Sequence, residues 1–245
     1  MPQKLTPSPQ SNQVKLVVSK FGGTSMGDAS CMRRSAEVSI ERNASVVIVS
    51  ATSGTTNALI DIGRTAESGR WTESEQKIQS LIEKHQKIAR ELELSEQSDK
   101  TKQLQIIFQE IETLAKGICY LRDASPKAMD ALMSCGERMS SILFAESLAQ
   151  VLHKKKNSVP VSNKQGAVKT EVRLIDARDV IVTDSLFGRA RPQIAQIAEK
   201  CLLAMPPEEL QKTIYVSQGF IGRSSEGATT TLGRGGSDLS AALFA

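Results

Sequence analysis

Aromatic residues are scarce in this chain of 245 residues, where Phe, Trp and Tyr together make up 4%. The 31 Lys and Arg exceed the 27 Asp and Glu only slightly, and they are scattered apart from residues 154–156 and the pair Arg33 and Arg34. Proteins that bind nucleic acid concentrate basic residues on one face, often beside aromatic platforms for the bases. We therefore interpret the basic clusters as solvated helix ends and predict no nucleic-acid partner.

Paired cysteines and long apolar runs are also missing. Cys31, Cys119, Cys135 and Cys201 lie far apart without a CxxC pair. This spacing speaks against a zinc site and a disulfide framework, and free thiols suit the reducing cytosol. Residues 1–13 are polar and contain proline, so we expect a disordered tail and no signal peptide. No stretch reaches the roughly 20 apolar residues that span a bilayer, so we predict a cytoplasmic protein without membrane contact.

Three runs rich in β-branched residues predict strands, namely VKLVVSKF at 14–21, SVVIVS at 45–50 and TIYVSQGFI at 213–221. Their apolar residues are nearly continuous, which is typical of parallel strands buried on both faces. Two shorter strand candidates cover residues 159–163 and 179–184.

Helical patterns fill the intervals between these strands. Asp28 is a suitable N-cap, and Pro126 is favourable in the first turn of a helix. The predicted helices run over residues 28–42, from Asn57 onward, within 73–121, over 126–153, over 193–203 and from near Leu239. Strands that alternate with helices indicate βαβ units and a parallel sheet. We predict one α/β domain over residues 14–245, with a helical insertion at about 73–121.

The first predicted strand ends in KFGGTS at residues 20–25, shortly before a helix. Paired glycines at such a turn let backbone N–H groups approach an anion, and Lys20 adds a positive charge. The motif is neither GxxxxGK[ST] nor GxGxxG, so no Walker loop or dinucleotide fingerprint is implied. Glycine pairs are also common in ordinary turns, and that reading stays open.

Two further motifs carry small polar residues. The second strand ends in SATSGTTN at 50–57, where open α/β sheets bind ligands, although the segment could serve only to cap the next helix. Ser134, Glu137 and Ser141 share one face of the long helix after Pro126, and the glycine at 136 costs stability there unless close packing requires it. The plain alternative is a solvent-facing stripe. His85 and His153 lie near none of these motifs.

The richest segment covers residues 219–238. GFIG closes the third strand, and TTTLGRGGSD follows shortly before apolar helical positions. Glycines around Arg234 expose backbone donors near a helix start, and the planar guanidinium suits a carboxylate or a phosphate. These features predict an anion site.

Together these motifs resemble the aspartokinases of the amino-acid kinase family. The shared features are KFGGTS, the SA…TN turn, GE within a helix, FGRA at 187–190 and GFIG…TTTLGRGGSD, in the order that the family uses, over residues 16–244. The resemblance implies a three-layer α/β sandwich with a mainly parallel sheet between helices. It also implies transfer of the γ-phosphoryl group of ATP to the side-chain carboxylate of L-aspartate, giving 4-phospho-L-aspartate.

The resemblance assigns roles on the phosphate side of such a site. Lys20 would stabilise the transition state, and Asp238 would organise the lysines by charge pairing. The other residues that it assigns to the phosphates and the oxyanion surroundings are Gly22, Gly23, Gly235, Gly236 and Ser237. Mg²⁺ would arrive with ATP rather than in a protein cage.

On the substrate side, Arg234 would bind the α-carboxylate of aspartate, and Glu137 would receive the α-ammonium. The remaining residues that the resemblance places along the substrate are Ser50, Ala51, Thr56 and Phe187. A carboxylate is ionised at neutral pH, so the reaction needs positioning and charge neutralisation rather than a strong base.

Aspartokinases continue beyond the GRGGSD helix into segments that hold adenine and ribose and into regulatory domains, whereas this chain stops at Ala245. We therefore expect a fold incomplete at its C-terminus, little turnover by the chain alone and uncovered apolar surface that favours a homo-oligomer or another partner. Two alternatives remain, a kinase for another carboxylate such as acetylglutamate or glutamate, and a non-catalytic aspartate-binding or regulatory module.

Overall fold

The computed structural model describes residues 16–158 and 169–245. Its strands are β1 (Val18–Phe21), β2 (Val46–Val49), β3 (Glu171–Ile175), β4 (Val182–Thr183), β5 (Thr213–Gln218), β6 (Ile221–Ser224) and β7 (Thr229–Thr231). Its α-helices are α1 (Ala29–Glu41), α2 (Thr55–Glu67), α3 (Trp71–Glu91), α4 (Asp99–Leu121), α5 (Pro126–Ser158), α6 (Ala177–Val180), α7 (Ile194–Ala204) and α8 (Gly236–Leu243). A short 3₁₀ turn covers Gly23–Met26.

The main sheet has the strand order β1-β2-β5-β3, and all of its neighbours pair in parallel. Successive side chains point to opposite faces, so each inner strand contributes to two cores. Val47 and Val49 pack with the layer formed by α1 to α5, whereas Val46, Ile48 and Tyr215 pack with α6, α7 and α8. The mainly parallel sheet between helices confirms the predicted fold class.

Smaller strands form a second sheet of order β4-β6-β7, which the sequence did not predict. The run at 213–221 is not one strand, because β5 ends at Gln218 and β6 begins at Ile221 in the other sheet. The run at 179–184 is strand only at β4, since its first residues belong to α6. β3 was also missed, because it is an exposed edge strand that contains Glu171 and Arg173. The candidate at 159–163 and the tail at 1–13 lie outside the described residues.

Most predicted helices are present, with shifted ends. Asp28 caps α1 by accepting a hydrogen bond from the Cys31 N–H at 2.7 Å. α2 begins at Thr55 rather than Asn57, and α8 begins at Gly236 rather than near Leu239. Helices α3 and α4 occupy most of residues 73–121. The domain bounds, and the view of this pair as an insertion, stay predictions.

Helix α3 contacts the turn between β2 and α2 through a chain of hydrogen bonds. His85 Nδ1 lies 2.8 Å from the Leu81 carbonyl, which can only accept, so this nitrogen carries the proton. His85 Nε2 then accepts from Thr52 Oγ1 at 3.2 Å, and Thr52 Oγ1 lies 2.6 Å from Thr55 Oγ1. Burial lowers the pKa of His85 to about 4. The expectation that neither histidine lies near a motif is therefore wrong for His85.

The start of α8 packs directly on the end of β5. A Cβ atom added at Gly219 would lie 2.7 Å from Ser237 Cβ and 2.8 Å from Ser237 Cα. Real Cβ contacts essentially never come so close, so Gly219 allows the first turn of α8 to reach the edge of the sheet.

We expect Gly219→Ala to destabilise the fold by about 1–3 kcal/mol, because the new methyl group must displace the backbone at Ser237. Chemical denaturation measures the change in the free energy of unfolding. Gly117→Ala is the matched control, since it lies inside α4 with nothing within 4 Å of the added Cβ and should stabilise by up to about 1 kcal/mol. Equal effects of the two changes would contradict the packing argument.

We expect His85 to make stability fall as the pH drops from about 6.5 to about 4. Its pKa in the fold is about 4, below the ordinary value of 6.5, so the unfolded chain takes up the proton first. The shift corresponds to a loss of up to about 3 kcal/mol across this window. His85→Gln should flatten the pH dependence measured by denaturation, whereas His153→Gln at the exposed end of α5 should not. Identical profiles for all three proteins would refute this role of His85.

Candidate functional site

The carboxyl ends of β1, β2 and β5 meet α5 and the start of α8 around one cavity of about 280 Å³. Open parallel sheets bind ligands at this edge. The cavity is lined by Lys20, Ser50, Thr56, Glu137, Phe220, Gly233, Arg234, Gly235, Gly236, Ser237 and Asp238. Residues from four separate sequence motifs are thus brought together.

One end of the cavity carries an ion pair. Lys20, near the end of β1, lies 2.9 Å from Asp238 in the first turn of α8, and the Lys20 side chain is 28% exposed. Gly22 precedes the 3₁₀ turn, and a Cβ atom at Gly22 would lie 3.8 Å from Lys20 Nζ. Gly23 packs against the Ala51 carbonyl oxygen. Neither glycine belongs to the cavity lining, although Gly22 lies next to Lys20.

The loop before α8 turns through Gly235, whose φ of 76° lies in the left-handed region that favours glycine. Ser50 Oγ donates to Ser237 Oγ at 3.0 Å and ties this first turn to the end of β2. The exposed Arg234 side chain forms no hydrogen bond or ion pair with any residue in 16–158 or 169–245. Its guanidinium is therefore available to an anion that enters the cavity.

The opposite wall carries a buried carboxylate. Glu137 Oε1 accepts from the Ala51 N–H at 3.4 Å, whereas the buried Oε2 has no partner in the described part of the chain. Burial raises the pKa of Glu137 to about 8. Ser134 and Ser141 are buried on the same face, so the alternative of a solvent-facing stripe is wrong.

Gly136, which costs stability inside helix α5, is required there for close packing. A Cβ atom at Gly136 would lie 3.1 Å from Ala51 Cβ and 3.1 Å from Thr55 Cγ2. Its absence lets α5 approach the turn after β2, which brings the Glu137 carboxylate to the Ala51 amide. Ala51 thus contributes backbone to the wall, although its side chain does not line the cavity.

Phe187 lies beside the cavity rather than in its lining. Its ring is 5.9 Å from Lys127 Nζ, measured to the ring centroid. The neighbouring Gly188 carbonyl oxygen would lie 3.2 Å from a Cβ atom at Gly233. The FGRA loop therefore abuts the glycine-rich loop, and a contact of Phe187 with a ligand stays a prediction.

Sequence reasoning missed one residue of the cavity lining, Phe220, and one that supports the cavity from outside, Asp130. Phe220 lines the cavity with a φ of 69°, an unusual conformation for a bulky residue and one that often marks a functional site. Asp130 is buried in α5 and accepts from the Gly188 N–H, the Thr231 N–H and Thr231 Oγ1. A signal for Asp130 was available, since it precedes Glu137 by seven residues and so shares its helix face.

The arrangement suits a zwitterion that carries a second anionic group. The unpartnered carboxylate oxygen of Glu137 can accept hydrogen bonds from an ammonium, and Arg234 can bind a carboxylate. Lys20 and the first turn of α8 favour negative charge at the other end. Within residues 16–158 and 169–245, no three His, Cys, Asp or Glu side chains are grouped to hold a metal ion. None of the helices in these ranges is long and apolar enough to cross a membrane.

Comparison with curated proteins identifies aspartokinases as relatives. The chain is 35% identical to lysine-sensitive aspartokinase 3 of Escherichia coli over 237 residues, which cover 94% of this chain and 46% of the relative. It is 33% identical to an aspartokinase of Chlamydia trachomatis over 229 residues, which cover 93% of this chain and 45% of that protein. The chain thus spans less than half the length of these relatives.

Comparison with solved structures also finds aspartokinases. The E. coli aspartokinase III complex with aspartate and ADP matches with a TM-score of 0.77 at 35% identity, over 94% of this chain and 46% of that one. The complex of the same enzyme with lysine and aspartate gives a TM-score of 0.76. The amino acid kinase family pattern matches residues 15–245, which is nearly the whole sequence. With its three-layer fold and its edge cavity, this chain belongs to the amino acid kinase family.

Proposed function

We propose that this chain forms the aspartate-binding part of an aspartokinase, which transfers the γ-phosphoryl group of ATP to the side-chain carboxylate of L-aspartate. The observation that carries the proposal is that one cavity is lined by both a carboxylate and a guanidinium that lack partners. Among the residues that the structure describes, the buried Glu137 Oε2 and the Arg234 guanidinium have no hydrogen-bond or ion-pair partner. These groups complement the α-ammonium and the α-carboxylate of an amino acid.

Other residues in and beside the cavity would complete the proposed binding site for aspartate. Ser50 and Thr56 offer hydroxyl groups at the end of β2 and the start of α2, where they would contact aspartate. Ala51 supplies the backbone that orients Glu137, and Phe187 would approach the substrate from the adjacent loop. With both α-groups bound, the β-carboxylate of aspartate would be directed along the cavity towards Lys20.

Lys20 would neutralise charge as the phosphoryl group and the β-carboxylate approach each other, which is the main requirement of such a transfer. Asp238 is within ion-pair distance of Lys20 and would hold it in place until the phosphates arrive. Backbone at Gly22, Gly23, Gly235 and Gly236, with the Ser237 hydroxyl, would surround the phosphate oxygens. Mg²⁺ suits this chemistry as a partner of the ATP phosphates, since it usually keeps several waters and few protein ligands.

Two alternatives predict different ligands. A kinase for acetylglutamate would bind an amino acid without a free ammonium, which would leave the Glu137 carboxylate buried and unpaired. A glutamate kinase would prefer the longer side chain. A non-catalytic module would bind aspartate without binding ATP. Calorimetry with L-aspartate, L-glutamate and N-acetyl-L-glutamate separates the kinases, and the proposal requires L-aspartate to bind most tightly of the three acids. Binding of Mg-ATP in addition would exclude the non-catalytic module.

Exposed apolar residues on α7, which include Ile194, Leu202 and Leu203, are consistent with a homo-oligomer or another covering partner. We also propose that the protein works in the cytoplasm, as its unpaired cysteines suggest.

Aspartate binding should release a proton at neutral pH. With a pKa of about 8, Glu137 is mostly protonated at pH 7, and the aspartate ammonium would favour its ionised form. We expect close to one proton released per aspartate at pH 7, and an affinity that rises about tenfold from pH 6 to 7 and less steeply from pH 7 to 8. Calorimetry in two buffers of different ionisation enthalpy measures the release. Glu137→Gln should abolish it, and binding without proton release in the unaltered chain would refute this role of Glu137.

Arg234→Lys should weaken aspartate binding by roughly tenfold, because lysine keeps the charge but loses the planar fork that binds a carboxylate through two hydrogen bonds. The dissociation constant from calorimetry is the measurement. Arg223→Lys is the matched control, since Arg223 pairs with Asp179 outside the cavity and should leave the affinity unchanged. An unaltered affinity in the Arg234 variant would remove this residue from the substrate site.

A further inference from the structure

We propose that Asp130 is a positioning residue that sets the distance between the two groups which bind the amino acid. Its carboxylate holds the FGRA loop and strand β7 against α5, and through them it fixes the loop that carries Arg234. This inference rests on the proposed function, because it concerns the same cavity. Asp130 itself does not line the cavity and acts only through its neighbours.

The carboxylate of Asp130 joins two segments that are distant from it in sequence. Oδ2 accepts from the Gly188 N–H at 2.8 Å and from the Thr231 N–H at 2.9 Å. Oδ1 accepts from the Thr231 hydroxyl at 2.6 Å. Asp130 is completely buried and forms no ion pair with a residue in the described ranges. The three donors therefore stabilise the carboxylate in place of water or a counter-ion. If the carboxylate is removed, each of these donors loses its acceptor.

Both segments lead directly to the glycine-rich loop. The Ala190 N–H donates to the Thr231 carbonyl at 2.8 Å, so the FGRA loop and β7 are also bonded to each other. The Leu232 N–H donates to the Phe220 carbonyl at 2.8 Å, one residue before Gly233. The Gly188 carbonyl packs against Gly233 from the other side. The backbone that presents Arg234 is thus held on both sides by parts that Asp130 connects.

Helix α5 carries Asp130 and Glu137 on the same face, seven residues or roughly 10 Å apart along the axis. Glu137 would receive the ammonium, whereas Asp130 ties down the loop of the residue that would receive the carboxylate. The spacing between the two substrate anchors is therefore set by one rigid helix. A displacement of about 1 Å at such anchors is enough to weaken binding markedly.

The test compares Asp130→Ala with Asp130→Asn in the 245-residue chain. An asparagine can place its carbonyl oxygen at Oδ2 to accept both amides, and its NH₂ group can donate to the Thr231 hydroxyl. We expect Asp130→Ala to speed amide exchange at Gly188, Thr231, Leu232 and Gly236, whose N–H groups are hydrogen-bonded, and to lower the affinity for L-aspartate, each by about tenfold or more. Asp130→Asn should restore both to within about threefold of the original chain.

Several outcomes would overturn the inference. Two outcomes would reduce Asp130 to a structural role: faster exchange confined to Gly188 and Thr231, or a lower melting temperature with unchanged affinity and unchanged exchange at Leu232 and Gly236. If the Ala variant does not fold, Thr231→Val removes one of the three bonds and should produce a smaller increase at the same amides; no increase would contradict the proposal. Failure of the original chain to bind L-aspartate would refute the proposed function, and exchange at Leu232 and Gly236 would still decide the role of Asp130.

Discussion

The close approach of α5 to the carboxyl edge of the sheet is the constraint on which the rest of the cavity depends. A Cβ atom at Gly136 would be closer to Ala51 and Thr55 than most Cβ contacts allow, so the missing side chain permits this close packing. The contact brings the Glu137 carboxylate to the Ala51 amide, while Asp130 on the same helix accepts from Thr231 of β7. One helix of 33 residues thus carries two buried carboxylates to the turns around the cavity.

These two buried carboxylates differ in their hydrogen bonding. Asp130 is satisfied by three donors of the chain itself, whereas one oxygen of Glu137 has no partner among the described residues. Burial raises the pKa of both groups, but only Glu137 gains a strong partner if a cation enters the cavity. A buried acid without a partner costs stability and is retained where binding needs it. The difference separates a residue that builds the cavity from one that would receive the ligand.

Sequence reasoning succeeded where burial follows the local pattern. β2 and β5 lie between two helical layers, so their continuous apolar residues revealed both strands. β3 carries charged residues at the sheet edge and lacks that pattern. The break between β5 and β6 depends on the positive φ of Phe220, which no periodicity encodes. The cavity motifs were found because glycines and charges at strand ends have a chemical meaning, whereas their roles towards a ligand stay predictions.

The hydrogen-bond partners of His85 and of Asp130 could not be predicted from the sequence, and the reason is the same for both residues. Each acts through a partner more than thirty residues away, so its meaning appears only when helices pack. His85 fixes Thr52 and Thr55 on one side of the cavity, next to Thr56, and Asp130 fixes the FGRA loop and β7 on the other. The groups that would touch a ligand extend from turns, and turns are the least rigid parts of a fold. Hydrogen bonds from His85 in α3 and from Asp130 in α5 hold these turns in place. The geometry of the cavity therefore depends on two side chains that lie outside its lining.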